Sequence, residues 1–93
     1  MDAHSLKIIT ALKTARTALN WTQQVLAAKS GVSQVTIARM ETGAMSPRLS
    51  NVSKIKTALF DAGVRIVDES PEGGFSLIVD GKVFRLDAVE KEG

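Results

Sequence analysis

The chain has 93 residues, enough for one small domain, and its 44% hydrophobic and 24% charged residues are typical of globular proteins. It has no cysteine and one histidine, which excludes disulfides, thiolate metal sites and cysteine catalysis and leaves too few ligands for a typical zinc site. No apolar run approaches the roughly 20 residues of a membrane span, and Lys7 and Lys13 interrupt the N-terminal apolar residues where a signal peptide would be uninterrupted. We therefore expect a soluble cytoplasmic protein without a membrane partner. The net charge of +2 is too small to indicate any other binding partner.

The first predicted element is a helix whose apolar residues recur at three- and four-residue steps. Its expected buried face consists of Leu6, Ile9, Leu12, Ala15 and Leu19. The pattern stops at Asn20, and Thr22 is suited to N-cap a second helix over about residues 23–30. Gly31 would end that helix, because a residue just past a helix end often needs a positive φ.

Two further helices are predicted before the pattern changes. Ser33 can cap a third helix over about residues 34–42, which Gly43 would end. After a loop containing a proline, Ser50 is expected to cap a fourth helix that ends at Gly63. The expected inward face of this fourth helix is Val52, Ile55, Leu59 and Ala62.

The period changes near Gly63, where short β-rich runs replace helical spacing. The runs are residues 64–68, 75–79 and 82–86, and the dipeptide Asp80-Gly81 before the last run suits a two-residue hairpin turn. The pattern predicts a mainly α protein that ends in a small antiparallel β unit of two or three strands. We divide it into residues 1–63, a β unit over 64–87 and a flexible tail over 88–93.

The second and third helices carry a set of residues with specific positions. Ala27 is small where the two helices approach, Gly31 supplies the turn, and the positions expected to share one core are Leu26, Val32, Ile37 and Met40. This arrangement resembles the helix-turn-helix of the phage Cro and repressor family, also called Xre-type, over about residues 5–63. The polar Ser30 departs from the apolar residue that many relatives have there. The resemblance implies a four- to five-helix, lambda-repressor-like domain that binds double-stranded DNA.

The net charge of +2 conceals a division along the chain. Up to Lys56 there are eight basic and two acidic residues, a net charge of +6; from Thr57 onward there are four basic and eight acidic residues, a net charge of −4. The division indicates one surface for a polyanion and another kept away from it, although chance segregation would give the same numbers.

The residues expected to contact DNA follow from helical rotation and from the resemblance. If Ile37 and Met40 point inward, Val35 and Arg39 lie on the opposite side of the third helix. The resemblance places base contacts at Gln34, Val35 and Arg39, residue types that can bond adenine, touch a thymine methyl and bond guanine. It places phosphate contacts at Gln23 and Thr36, and the basic side chains of Arg48 and Lys54 would add sequence-independent attraction.

Two charged residues lie on faces that are expected to be buried. Arg16 falls on or beside the apolar face of the first helix, and Glu41 lies with Ile37 on the inner side of the third. In relatives such an arginine and glutamate form an ion pair, and burying either charge alone would be costly. The alternative is two exposed charges that never meet.

The β unit carries apolar side chains on both faces, which a lone small sheet on one helix layer cannot bury. We expect it to form a symmetric dimer; a DNA-touching wing is the rival interpretation, and acidic residues near the turns argue against it. His4 is expected to be exposed and Trp21 to pack in or beside the core. With no residue set for catalysis, no metal ligands and no cofactor motif, we do not expect an enzyme.

The leading hypothesis is therefore a sequence-specific regulator of transcription, a repressor that binds a palindromic operator as a homodimer in the cytoplasm, at the nucleoid. The alternative is the antitoxin of a toxin–antitoxin pair, which binds a protein toxin and regulates its own operon. A third interpretation is a protein-interaction module on the same scaffold that does not bind DNA.

Overall fold

A computed structural model describes residues 1–68 and 73–84 of the chain. Four helices are followed by a two-stranded antiparallel sheet, which confirms the predicted fold class. The elements are α1 Ala3–Ala18, α2 Gln23–Ser30, α3 Gln34–Thr42, α4 Leu49–Ala62, β1 Val64–Val67 and β2 Ser76–Val79. The predicted tail over 88–93 lies outside the described residues.

Helices α2 and α3 have the bounds and the caps that the sequence predicts. The Thr22 hydroxyl accepts a hydrogen bond from the Val25 N–H at 3.1 Å, and the Ser33 hydroxyl accepts one from the Thr36 N–H at 3.2 Å. Both helices end at a glycine with positive φ, which is 77° at the end of α2 and 82° at the end of α3. These caps satisfy backbone groups that helix ends otherwise leave unpaired.

The core lies between the four helices and the inner face of the sheet. Residues with almost no exposed surface are Leu12, Ala15, Leu26, Val32, Ile37, Met40, Val52, Ile55, Ala58, Leu59 and Val64. The four residues predicted to share a core between α2 and α3 are all among them. Trp21 is partly buried against the same cluster, as predicted, and His4 is exposed on α1.

Two predictions about helix faces and ends are wrong. Leu6 is 58% exposed, because the face of α1 that meets the core begins a turn later, at Ile8 and Ile9. Ser50 does not cap α4: the helix begins at Leu49, and Arg48 occupies the N-cap position without a side-chain hydrogen bond. A loop that already has extended backbone at the N-cap residue can enter a helix without such a bond, at some cost in stability.

The two strands pair with a register that separates an inner from an outer face. Val64 lies opposite Val79 and Ile66 opposite Leu77, and these four side chains are buried or half-buried against the helices. The alternate pair, Arg65 opposite Ile78, is exposed on the outer face. The sheet therefore covers one side of the helical core with half of its side chains and presents the other half outward.

The predicted third strand is wrong for the residues that the structure describes. Residues 82–84 form a helical turn, and 85–86 lie outside the described part of the chain. The Asp80 carboxylate accepts the Lys82 N–H at 2.8 Å, which starts the turn, and Gly81 does not adopt the positive φ that a hairpin of the predicted type needs. The two predicted runs that do form strands, β1 and β2, pair with each other.

The sheet is joined closely to the helices. Only Gly63 separates α4 from β1; its φ is 106°, and a Cβ atom there would lie 2.8 Å from the Val83 Cγ2 atom of the helical turn. At the other end of β1, the Lys7 ammonium of α1 donates to the Asp68 carboxylate at 2.7 Å. That hydrogen bond lowers the pKa of Asp68 below its usual range.

Candidate nucleic-acid interface

Helix α3 has one face in the core and one face open to solvent. Ile37 and Met40 are 1% and 2% exposed and fix the rotation of the helix. On the opposite side Gln34 and Arg39 are exposed, and Val35 is 62% exposed. A valine so exposed gains nothing from burial within the protein, which makes it available for an apolar contact with another molecule.

An ion pair behind this face joins α1 to α3. The Arg16 Nε atom donates to Glu41 Oε2 at 2.8 Å, and its Nη2 atom donates to Oε1 at 2.8 Å. The two side chains are 12% and 7% exposed. The parallel pair of bonds is the strongest geometry that arginine and carboxylate adopt, and it fixes the position of α3 relative to α1.

The same pair also fixes the start of α2. The third guanidinium nitrogen of Arg16, Nη1, donates to the Trp21 carbonyl at 2.7 Å, and the Gln23 amide donates to Glu41 Oε1 at 3.0 Å. Burial raises the pKa of Glu41, but the hydrogen bonds from Arg16 and Gln23 and the Arg16 charge outweigh burial, so that this pKa lies below its usual value. Glu41 is therefore ionised at neutral pH and holds α1, α2 and α3 together.

A protein-family model with the description helix-turn-helix matches residues 12–60, which is more than half of the chain. The chain belongs to the helix-turn-helix family. This confirms the resemblance noted from the α2–α3 residues, and it supports a DNA-binding regulator of transcription. The family's fold is generally non-enzymatic. No match to a curated protein was found.

In this helix-turn-helix, the N-cap residues of α2 and α3 are exposed to solvent. Beyond the capped N–H of Val25, the N–H groups of Gln23 and Gln24 have no hydrogen-bond partner within the described residues. The first-turn N–H groups of a helix, together with the helix dipole, attract phosphate. The Thr36 hydroxyl accepts from Ser33 at 2.8 Å, so its own proton is available to donate.

The placement of Gln23 differs from the expectation drawn from the resemblance in one respect. Its side chain is half-buried and donates to Glu41, whereas the expectation assigned it to a phosphate. A glutamine amide carries two N–H donors, so one remains for a second acceptor. The other two predicted phosphate contacts are exposed: Arg48 lies just before α4, and Lys54 lies on α4.

Both acidic residues of the first 56 positions are engaged within the protein. The Asp2 carboxylate accepts the Ser5 N–H at 2.7 Å as the N-cap of α1, and Glu41 is held by Arg16. The basic residues Lys29, Arg39 and Arg48 are exposed. The outward charge of this half is therefore positive, which suits a polyanion.

Sequence reasoning missed two features of this site. It did not foresee that Arg16 bonds the Trp21 carbonyl, which follows a turn at Asn20, a non-glycine residue with φ of 57°. It also missed the bond from Gln23 to Glu41. The sequence did carry a signal for the turn at Asn20, because asparagine is among the few residues that adopt positive φ readily.

None of the helices in the described residues is both long and apolar enough to cross a membrane.

Proposed function

We propose that the protein is a repressor that binds a palindromic operator as a homodimer, with α3 in the major groove. The observation that carries the proposal is the open face of α3, where Gln34, Val35 and Arg39 are exposed beside a core-facing side that fixes them. A helix held by buried Ile37 and Met40 has one orientation in which to meet DNA, which sequence-specific recognition requires.

The three side chains of this face carry complementary chemistry for base edges. Arg39 can donate two hydrogen bonds to guanine, Gln34 can bond adenine through its amide, and Val35 can contact a thymine methyl group. Gln34 belongs to the first turn of α3, the part of a recognition helix that enters the groove deepest. Arg39 belongs to the last turn and would reach a base pair farther along the site.

Phosphate contacts on either side would position this helix. The free N–H groups at the start of α2, the Gln23 amide and the Thr36 hydroxyl are donors near the N-termini of α2 and α3. Arg48 and Lys54 would add attraction that does not depend on sequence. In this proposal residues 1–63 bind DNA and the β unit over 64–87 joins two copies.

A palindromic operator follows from the symmetry of a homodimer. Two identical helices related by a two-fold axis read two half-sites about one helical turn, roughly 34 Å, apart. On the outer face of the sheet, Ile78 is an exposed apolar side chain opposite the exposed Arg65 and next but one to the exposed Ser76. This supports a second copy, or another protein, as the partner of the β unit.

The proposal is tested by selecting genomic DNA fragments that the purified protein binds and reading them for a palindrome. Replacing Arg39 with alanine should then cost about 1–3 kcal/mol of binding free energy and relax the preference at one base pair of each half-site. Lys56→Ala is the matched control, since it removes one positive charge from α4 on the side that faces β1. Equal loss of affinity in both variants, with the base preference unchanged, would contradict base reading by Arg39.

The second candidate is an antitoxin whose β unit binds a protein toxin. It is favoured by exposed apolar side chains outside α2 and α3: Phe60, near the end of α4, is 61% exposed, and Phe84, after β2, is 62% exposed. Expression with the neighbouring genes, followed by purification of this chain, tests it: a stoichiometric small partner would support the antitoxin, and the chain alone would support the homodimeric repressor.

A further inference from the structure

The β2 strand has a backbone edge that points away from β1. The Asp80 N–H donates to the Gly63 carbonyl at 2.7 Å, which extends the register of the two strands by one pair. In an antiparallel ladder the residues that bond the neighbouring strand alternate with residues whose N–H and C=O groups point outward. Ile78 therefore bonds β1, and the backbone groups of Leu77 and Val79 point to the opposite edge.

Within the described residues, no second strand pairs with this outward edge. Within the described residues, the backbone of Leu77 and Val79 makes no hydrogen bond outside the sheet. The chain after β2 turns the other way, because Val83 lies against Gly63 and the Lys82 ammonium donates to the Asp61 carbonyl at 3.2 Å. The helices α1 and α4 contact the sheet from its inner face, where Leu77 and Val79 are half-buried.

Apart from the short length of β2, four residues, the edge lacks the features that keep single strands from pairing with other chains. Residues 76–79 are serine, leucine, isoleucine and valine, with no lysine, no proline and no charge. Natural proteins usually protect a free edge with such residues, with a bulge or with a covering element. An apolar unprotected edge is a template for another strand.

We infer that a second copy of this chain pairs with the edge, so that β2 meets β2 antiparallel about a two-fold axis at Ile78. Outward backbone groups must face each other, which places Leu77 opposite Val79 of the second copy and forms four backbone hydrogen bonds between the copies. The resulting sheet has four strands. Because inner-face residues pair with inner-face residues, both helical layers lie on the same side of it.

The side chains that would lie opposite each other on the outer face favour this register over the other two-fold registers. With the axis at Ile78, the two 46% exposed isoleucines meet each other, and Ser76 lies opposite Asp80 of the second copy, where a hydroxyl can donate to a carboxylate. With the axis at Leu77, each Ile78 would face a serine and stay half-exposed. Apolar pairs in directly opposed positions contribute more than apolar–polar pairs.

The inference deepens the proposed function, because it rests on the homodimer proposed there and names the surface that forms it. The interface is short, so we expect a reversible dimer whose population rises with protein concentration and rises further when both copies hold one operator. Dimerisation itself is tested without DNA, so that its failure is separable from a failure of DNA binding.

The natural absence of cysteine allows a direct test by single-cysteine crosslinking. Ile78→Cys places two thiols opposite each other in a non-hydrogen-bonded pair, with Cα atoms about 4.5 Å apart, inside the range of about 4.4–6.8 Å that a disulfide spans. Mild oxidation with oxidised glutathione should convert this variant to a covalent dimer of twice 9.9 kDa. Ser76→Cys is the matched control on the same strand and face: two such thiols would lie four residues apart, about 13 Å.

The outcomes separate the inference from its alternatives. Efficient crosslinking of I78C with little crosslinking of S76C supports the axis at Ile78. Equal crosslinking of both variants, or none of I78C while circular dichroism shows a folded protein, overturns it.

A second measurement does not depend on disulfide chemistry. Ile78→Lys puts two like charges at the axis and should reduce the mass in sedimentation equilibrium to that of a monomer. Phe60→Lys, which introduces the same charge at another exposed apolar position, on α4, should leave the dimer intact. A dimer that survives I78K overturns the inference. If the unmodified protein forms the dimer but binds no operator, that result counts against the proposed function alone.

Discussion

The buried ion pair between α1 and α3 is the feature whose removal has the most predictable effect. Replacing Glu41 with glutamine keeps the size of the side chain and one acceptor oxygen but removes the charge that faces Arg16. The guanidinium would then stay in a site where it is 12% exposed, bonded only to the Trp21 carbonyl and one amide oxygen.

The magnitude follows from the burial of the pair. Removing one partner of a buried ion pair costs about 3–5 kcal/mol, because the remaining charge lacks compensation. Arg16 keeps some surface and its bond to the Trp21 carbonyl, so the low end applies, and we expect E41Q to lose about 3 kcal/mol of unfolding free energy. For a domain of this size, that loss lowers the Tm by about 12 °C or more.

The assay is urea unfolding followed by the fluorescence of Trp21, the one tryptophan of the chain, whose carbonyl belongs to this site. A double-mutant cycle of E41Q with Arg16→Met isolates the interaction between the two side chains. If E41Q loses less than about 1 kcal/mol, or if the two substitutions are additive, the pair behaves as a surface ion pair and the reasoning from burial is refuted.

Three further predictions concern pH, backbone and salt. Because the pKa of Glu41 is lowered in the folded state, its stabilisation is present above the unfolded carboxyl pKa of about 4.3 and is lost as the pH falls through the folded pKa; urea unfolding should show the difference between wild type and E41Q narrowing in acid. Gly31→Ala should lower the free energy of unfolding by about 1–2 kcal/mol because of its positive φ alone. Gly63→Ala should lower it more in the same assay, since its Cβ would also meet Val83 at 2.8 Å. Arg48→Ala should weaken binding to all DNA sequences alike and reduce the salt slope of the binding constant by about one; an unchanged slope would remove Arg48 from the phosphate contacts.

The helix-turn-helix was the part of the fold that the sequence predicts best, because its boundaries are set by local chemistry. Thr22 and Ser33 cap helices through bonds to backbone three residues away, and Gly31 ends α2 with a φ that other residues rarely adopt. Such signals need no knowledge of distant contacts. The bounds of α2 and α3 followed from them.

The errors lie where local signals conflict or where tertiary contacts decide. Asp80-Gly81 suits a hairpin turn, but an aspartate can also cap a helical turn, and the contact of Val83 with Gly63 accompanies the second outcome. Leu6 fits the helical period, yet the core does not extend to its position. In the candidate site, the ion pair was expected through family resemblance, whereas the roles of individual residues toward DNA stay predictions.

The single residue between α4 and β1 has a consequence for the operator. A dimer built through the sheet would have no flexible tether with which to adjust the distance between its two reading helices. One added base pair would move one half-site by about 3.4 Å and turn it by roughly a tenth of the helical circumference. Such a protein would discriminate operators by the phase of their two halves as strictly as by their bases, and natural sites would share one centre-to-centre spacing.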